Sequence, residues 1–87
     1  MSATVRSDAP RILLIEDDRG IAVGIVRGLK AAGFSVELAN SGMRGAELGL
    51  FGKFSLIVLD LMLPEIDGYE ILDRWRGHSL PPIIVLS

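Results

Sequence analysis

The stretch Leu56-Ile57-Val58-Leu59-Asp60 decides the fold, because four apolar strand-forming residues end abruptly in a carboxylate. The run Ile12–Ile15 ends in the same way, in Glu16-Asp17-Asp18. Short apolar runs bounded by polar residues are typical of strands that are covered on both faces, as in a parallel sheet. Ligands of open parallel sheets bind beyond the carboxyl ends of the strands. The sequence therefore predicts two buried strands that deliver acidic side chains to one functional edge.

Strands and helices are predicted to alternate along the rest of the chain. We predict strands over residues 11–15, 35–39, 55–59 and 83–86, and helices over about 19–32, 43–51 and 69–76. Asp18 and Ser41 are the predicted N-caps of the first two helices, and Gly33 ends the first helix. This alternation indicates right-handed crossovers and a parallel α/β sheet, for which we predict the strand order 2-1-3-4. The strands that end at Ile15 and Leu59 are then neighbours, about 4.8 Å apart.

Composition excludes several classes of protein. The chain of 87 residues has room for one domain, which we place at residues 11–87 after a polar tail over residues 1–10. Its formal charge of −2 gives no electrostatic footprint for nucleic acid, and it has no cysteine for disulfides or thiolate metal sites. No apolar run approaches the length of a membrane span, and residues 1–10 lack the apolar core of a signal peptide. We expect a cytoplasmic domain without nucleic-acid or membrane partners.

The clustered acids at the predicted edge indicate a metal ion. Carboxylates that lie close together repel one another and raise one another's pKa unless a cation or a proton compensates the charge. Oxygen ligands without histidine or cysteine favour Mg²⁺, which keeps several water ligands and often shares its coordination shell with phosphate. The predicted cofactor is therefore Mg²⁺, and the predicted chemistry is phosphoryl transfer.

Four motifs resemble the receiver domains of two-component response regulators. They are Ile12-Leu13-Leu14-Ile15-Glu16-Asp17-Asp18, Leu56-Ile57-Val58-Leu59-Asp60-Leu61-Met62-Leu63-Pro64, Asp67-Gly68 and Ile83-Ile84-Val85-Leu86-Ser87. The resemblance covers Arg11 to Ser87 and implies a flavodoxin-like, three-layer α/β sandwich. It implies a regulatory phosphoacceptor and not an enzyme. The sequence from Asp60 to Gly68 is most similar to that of regulators with a DNA-binding output domain, which implies control of transcription.

The resemblance also assigns roles to five residues. Asp60 corresponds to the phosphoacceptor, which takes a phosphoryl group from a phosphohistidine of a sensor histidine kinase. Asp17 and Asp60 correspond to the direct Mg²⁺ ligands, Glu16 to the acid that holds the ion through water, and Met62 to the residue whose main-chain carbonyl completes the shell. Ser87 corresponds to the switch hydroxyl that binds a phosphoryl oxygen.

The sequence departs from the family pattern at its end, since receivers continue beyond the fourth strand with two helices and a fifth strand that carries a lysine. The expected consequence is a truncated receiver in which residues 83–86 form an exposed, uncharged sheet edge. Such edges pair with other chains, so we expect self-association through this strand, or a fragment of a longer regulator. The alternative function is accordingly a self-associating interaction module without phosphotransfer.

Other interpretations of single residues remain open. Asp18 suits a helix cap better than a nucleophile, His78 suits a solvated loop, and Ser87 alone is an ordinary chain end. A phosphohydrolase with Asp60 as its nucleophile is disfavoured, because Met62 stands where a second carboxylate would serve as general acid. Glycines at 20, 24 and 28 predict either a face of the first helix that packs closely against the fold or a partner surface.

Overall fold

The apolar segments form one parallel sheet in the computed structural model, which describes residues 9–86. Its strands are β1 (Arg11–Ile15), β2 (Ser35–Ala39), β3 (Leu56–Asp60) and β4 (Ile83–Leu86). The helices between them are α1 (Arg19–Ala31), α2 (Gly42–Phe51) and α3 (Gly68–Trp75). The strand order is β2-β1-β3-β4, so the predicted order and the flavodoxin-like fold are confirmed.

The two faces of the sheet bury alternate residues of the same strands. Leu13 and Ile57 belong to the cluster that packs with α2 and α3, and Leu14 and Val58 belong to the cluster that packs with α1. Side chains alternate between the faces of a strand, so an uninterrupted apolar run is required when both faces are covered. The result is a three-layer sandwich whose central strands, β1 and β3, are the most deeply buried.

The helix ends follow the predicted capping chemistry. The Asp18 carboxylate accepts a hydrogen bond from the Ile21 N–H at 3.0 Å, and the Ser41 hydroxyl accepts one from the Arg44 N–H at 3.2 Å. Each cap satisfies a helix donor that has no partner within its helix. Gly33 has a φ of +97° just beyond α1, a conformation that favours glycine.

The glycines of α1 correct one prediction. A Cβ atom added at Gly24 or Gly28 would meet nothing within 4 Å, so these residues do not pack closely against the sheet or a neighbouring helix. The close contacts lie on α2 instead, where a Cβ at Gly45 would stand 2.7 Å from the Ile15 side chain and a Cβ at Gly49 would stand 2.4 Å from Trp75. Glycine thus brings α2, and not α1, close to the core.

Smaller differences concern the ends of elements. β3 runs from Leu56 to Asp60 and not from residue 55 to 59, so the carboxylate-bearing residue closes the strand instead of following it. α2 starts one residue earlier than predicted, and α3 covers 68–75 and not 69–76. No helix within residues 9–86 is both long and apolar enough to span a bilayer. Two predictions lie outside the described residues: the switch role of Ser87 and most of the N-terminal tail, residues 1–8.

Candidate metal centre at the carboxyl end of the sheet

Three carboxylates meet where β1 and β3 end. Glu16 and Asp17 follow β1 directly, and Asp60 is the last residue of β3. The two strands are paired in register from Ile12 opposite Leu56 to Ile15 opposite Leu59, which places their ends side by side. One carboxylate oxygen from each acid lies within 4.8 Å of the others. The strand ends therefore converge on one site, as the predicted sheet order requires.

Glu16 is the buried member of this group, with 3% of its surface exposed. Its pKa is raised from 4.5 to about 7, first by burial and then by a side-chain hydrogen bond with Asp60. The Asp18 N–H, which donates to Glu16 Oε2 at 3.3 Å, opposes this rise, and the charges of Asp60 and Asp17 add to it. Without a cation, Glu16 thus retains a proton up to about neutral pH.

Asp60 is held by the backbone that follows it. Its carboxylate Oδ1 accepts a hydrogen bond from the Met62 N–H at 2.9 Å, which ties the side chain to the start of the β3–α3 loop. The Leu61 N–H donates to the Leu86 carbonyl at 3.0 Å, so β4 supports the same turn from the other side. Asp60 itself is half-buried and Asp17 is exposed. This arrangement leaves Asp60 partly accessible to solvent at the carboxyl end of the sheet.

The β3–α3 loop forms the wall of an open cleft beside Asp60. The cleft has a volume of about 690 Å³ and is lined by Asp17, Tyr69 and residues 61–67. The Met62 side chain is 76% exposed, so its contribution to a metal shell would come from its main chain. The Asp67 carboxylate caps α3 by accepting from the Tyr69 N–H at 2.9 Å. The cleft is thus bounded by Asp17 and by the loop that follows Asp60.

The donor set suits a hard divalent cation. All three side chains offer carboxylate oxygens, which are the ligands that hard cations favour. One of them, Glu16, is buried, so its negative charge must be compensated by a proton or a cation. Asp18 does not belong to the set, since its carboxylate caps α1. Leu86 pairs in register with Asp60 at the end of β4, and Ser87 lies outside the described residues.

Sequence analysis missed the close contacts that two glycines make with the loop after Asp60. A Cβ at Gly68 would stand 2.6 Å from Leu61 Cα, and one at Gly42 would stand 2.1 Å from the Ile66 side chain. Both glycines press on the loop that follows Asp60. The available signal was the spacing 42, 45, 46 and 49 in α2, which is the periodicity of a core-facing helix stripe.

Comparisons with known proteins agree on one family. Residues 12–87 match the family described as the response regulator receiver domain. The transcriptional regulatory protein CusR of Escherichia coli is 36% identical over 78 residues, which are 88% of this chain and 34% of CusR. The chain therefore spans about a third of the length of the curated relatives that it matches.

Solved structures show the same likeness. The receiver domain of the sensor histidine kinase PA1611 of Pseudomonas aeruginosa, described with a magnesium ion coordinated in its active-site cleft, superposes with a TM-score of 0.85 at 28% identity, covering 91% of this chain and 67% of that one. A response regulator of Burkholderia pseudomallei, described with a phosphorylated aspartic acid and a calcium ion, has a TM-score of 0.76 at 26% identity, covering 87% of this chain and 45% of that one.

Proposed function

The chain belongs to the response regulator receiver domain family, and from this membership we propose that it accepts a phosphoryl group on Asp60. The observation that carries the proposal is the convergence of Glu16, Asp17 and Asp60 within 4.8 Å at the open end of the sheet. We assign the receiver unit to residues 11–87. Its role is regulatory, since the phosphoryl group stays on the chain as a signal.

The proposed step is nucleophilic attack by a carboxylate oxygen of Asp60 on the phosphorus of a phosphohistidine. An O–P bond forms and the P–N bond breaks, and the leaving imidazole nitrogen keeps the electron pair and takes up a proton. Asp60 suits this step because its carboxylate is oriented by the Met62 N–H and is only half-buried. The product is an acyl phosphate on Asp60.

The acids around Asp60 are the proposed holders of Mg²⁺. Asp17 and Asp60 would bind the ion directly, Glu16 would hold it through water, and the Met62 carbonyl would complete the protein ligands. When bound, Mg²⁺ offsets the repulsion between the carboxylates and the incoming phosphoryl oxygens. The support from this chain is the raised pKa of buried Glu16, which marks an acid whose negative charge lacks a positive partner. Ser87 is the proposed phosphoryl-binding hydroxyl.

The proposal is tested by intact-protein mass after incubation with Mg²⁺ and a small-molecule phosphodonor. We expect a single hydroxylamine-labile phosphate adduct on the wild type and none on Asp60→Asn. Asp18→Asn is the matched control, because it keeps a helix cap and lies outside the carboxylate group. An adduct that survives Asp60→Asn would place the acceptor elsewhere. No adduct on a wild type that is shown to be folded would refute phosphoacceptance by this chain.

The proposed partner is a sensor histidine kinase, and the proposed output is transcription. CusR, which the chain resembles over its first third, is described as a transcriptional regulatory protein. Direct contact with nucleic acid is not proposed for these residues, whose formal charge is −2. The proposed location is the cytoplasm, where such kinases present their phosphohistidine.

Self-association through β4 is a second candidate role, and the geometry of the strand favours it. β4 accepts hydrogen bonds from β3 at the Pro82 and Leu86 carbonyls, so the alternation of a parallel ladder turns the backbone groups of Ile83 and Val85 away from β3. No strand within residues 9–86 pairs with that side. Ile84 and Val85 are 51% and 45% exposed, and residues 79–86 carry no charge that would deter pairing.

A two-fold, antiparallel contact between two β4 strands satisfies these groups. Ile83 of one copy then faces Val85 of the other, and Ile84 packs against its own equivalent at the axis. Sedimentation at rising protein concentration tests the contact. We expect dimers that Ile84→Lys abolishes and that Ile21→Lys, an exposed apolar site on α1, leaves intact. A wild type that stays monomeric at high concentration contradicts this role without affecting the phosphoacceptor proposal.

A further inference from the structure

The first turn of α3 lies against the main chain that follows Asp60. The Gly68 N–H donates to the Leu61 carbonyl at 3.2 Å. A Cβ at Gly68 would stand 2.6 Å from Leu61 Cα and 3.2 Å from the Asp60 carbonyl oxygen. Most of the other close glycine contacts in residues 9–86 are made to side chains. The contact at Gly68 is made to backbone, which cannot move without carrying its neighbours.

The same short segment orients the acceptor. The Met62 N–H donates to Asp60 Oδ1 at 2.9 Å, so the position of the Leu61–Met62 peptide sets the orientation of the Asp60 carboxylate. The Leu61 carbonyl thus accepts from Gly68, while the next N–H, that of Met62, donates to the acceptor Asp60. A displacement of the first turn of α3, where Gly68 lies, therefore reaches the Asp60 carboxylate through only two hydrogen bonds.

We propose that Gly68 is a positioning residue for the Asp60 site. Its missing Cβ lets α3 approach closely enough to hold the Leu61–Met62 peptide where it orients the acceptor and presents the Met62 main chain to the metal. The inference rests on the proposed function. Ordinary carbon–carbon contacts are about 3.5–4.0 Å, so an alanine at this position must separate the two segments by about 1 Å. Errors of that size in a reacting group cost up to about 100-fold in rate.

A purely structural role is the competing explanation, and the chain offers a matched control for it. A Cβ at Gly49 would stand 2.4 Å from the Trp75 ring, so Gly49→Ala also disturbs a buried contact, but one at the far end of α2. Gly24→Ala adds a methyl group where nothing lies within 4 Å. Gly68→Ala therefore tests the position of the Asp60 site, and Gly49→Ala tests the disturbance of a buried contact elsewhere. Gly24→Ala tests the effect of adding a methyl group in open space.

The first readout needs neither metal nor phosphate. The amide resonance of Met62 in the metal-free protein reports its hydrogen bond to Asp60, and we expect Gly68→Ala to shift it while Gly49→Ala and Gly24→Ala leave it in place. The second readout is the Mg²⁺ dissociation constant by titration calorimetry. We expect Gly68→Ala to raise it by about tenfold or more, as is usual when residues that orient metal ligands are changed. The rate of adduct formation should fall at least as much.

Several results would overturn the inference. One is a Gly68→Ala protein that matches Gly49→Ala in Met62 resonance, Mg²⁺ affinity and adduct rate. Where Gly68→Ala fails to fold, the same change is made together with Gly24→Ala and Gly28→Ala, two substitutions in open space that are expected to stabilise α1. Failure to fold there as well assigns Gly68 to fold stability alone. A wild type that binds no Mg²⁺ and forms no adduct refutes the proposed function instead.

Discussion

Glu16→Gln should make the metal-free protein more stable at high pH and leave its stability almost unchanged at low pH. Glu16 is buried beside Asp60, and burial raises its pKa from 4.5 to about 7. The folded protein therefore binds a proton that the unfolded chain has largely released above pH 5. Stability from this proton is complete below the unfolded pKa and is lost as pH rises through the folded pKa. Glutamine keeps the shape and donates like the protonated acid.

The size of the effect follows from the two pKa values. Each unit of pKa shift corresponds to about 1.4 kcal/mol, and the whole shift of Glu16 therefore to about 3 kcal/mol. Part of this is already lost at pH 5, because the unfolded chain begins to ionise near 4.5. Between pH 5 and pH 8 the wild type should lose about 2–3 kcal/mol of unfolding free energy that the variant retains.

Urea unfolding in the presence of a chelator measures this difference. Trp75, the single tryptophan, is a buried residue of α3 that packs against α2, and it reports unfolding by fluorescence. The free energy of unfolding is compared between wild type and Glu16→Gln at each pH, so that the titration of groups remote from Glu16 cancels. Equal pH dependence in the two proteins would refute the assignment of a raised pKa to Glu16. If the wild type instead became more stable relative to the variant as the pH rises, folding would lower the pKa of Glu16 and not raise it.

Substitutions at four further positions test the packing and the cap of α1 by urea unfolding. Gly24→Ala and Gly28→Ala should each stabilise the protein by up to about 1 kcal/mol, since both glycines face open space, and destabilisation would show a close contact there. Asp18→Ala should cost about 1 kcal/mol and Asp18→Asn much less; equal losses would refute the cap. Trp75→Phe should cost about 1–2 kcal/mol, followed by circular dichroism, because its indole N–H donates to the Ala46 carbonyl at 2.9 Å; no loss would show that this bond contributes nothing.

Most of the fold could be predicted because the apolar runs and the polar ends of the strands leave few alternatives. A run such as Ile12–Ile15 can only be buried on both faces, and such strands require parallel pairing with helices on each side. The pairing of β4 with β3 agrees with the predicted strand order. Asp60 was expected just after β3, but it pairs in register with Leu86, and hydrogen bonds to β4 extend the strand by that residue. Such an end depends on a partner strand far away in sequence.

The glycines show where sequence reasoning reached its limit. The regular spacing in α1 drew attention to Gly24 and Gly28, yet the buried side of α1 is the stripe that contains Ala22, Ile25 and Leu29. A glycine has no side chain to favour either face, so its spacing alone does not distinguish a close contact from an open surface. The contact at Gly68 was equally hidden, since it depends on how far α3 approaches the loop after β3.

The burial of Glu16 links the stability of the fold to cation binding at the acid site. Glu16 is buried because β1 is central to the sheet, and that burial makes its ionised form costly beside Asp60. A proton relieves the cost below about pH 7, and a cation would relieve it above. Cation affinity should therefore fall as the pH drops through 7, because the ion must displace the proton. An open, solvated group of acids would show no such competition, so the buried position of Glu16 links the stability of the fold to the occupancy of the site.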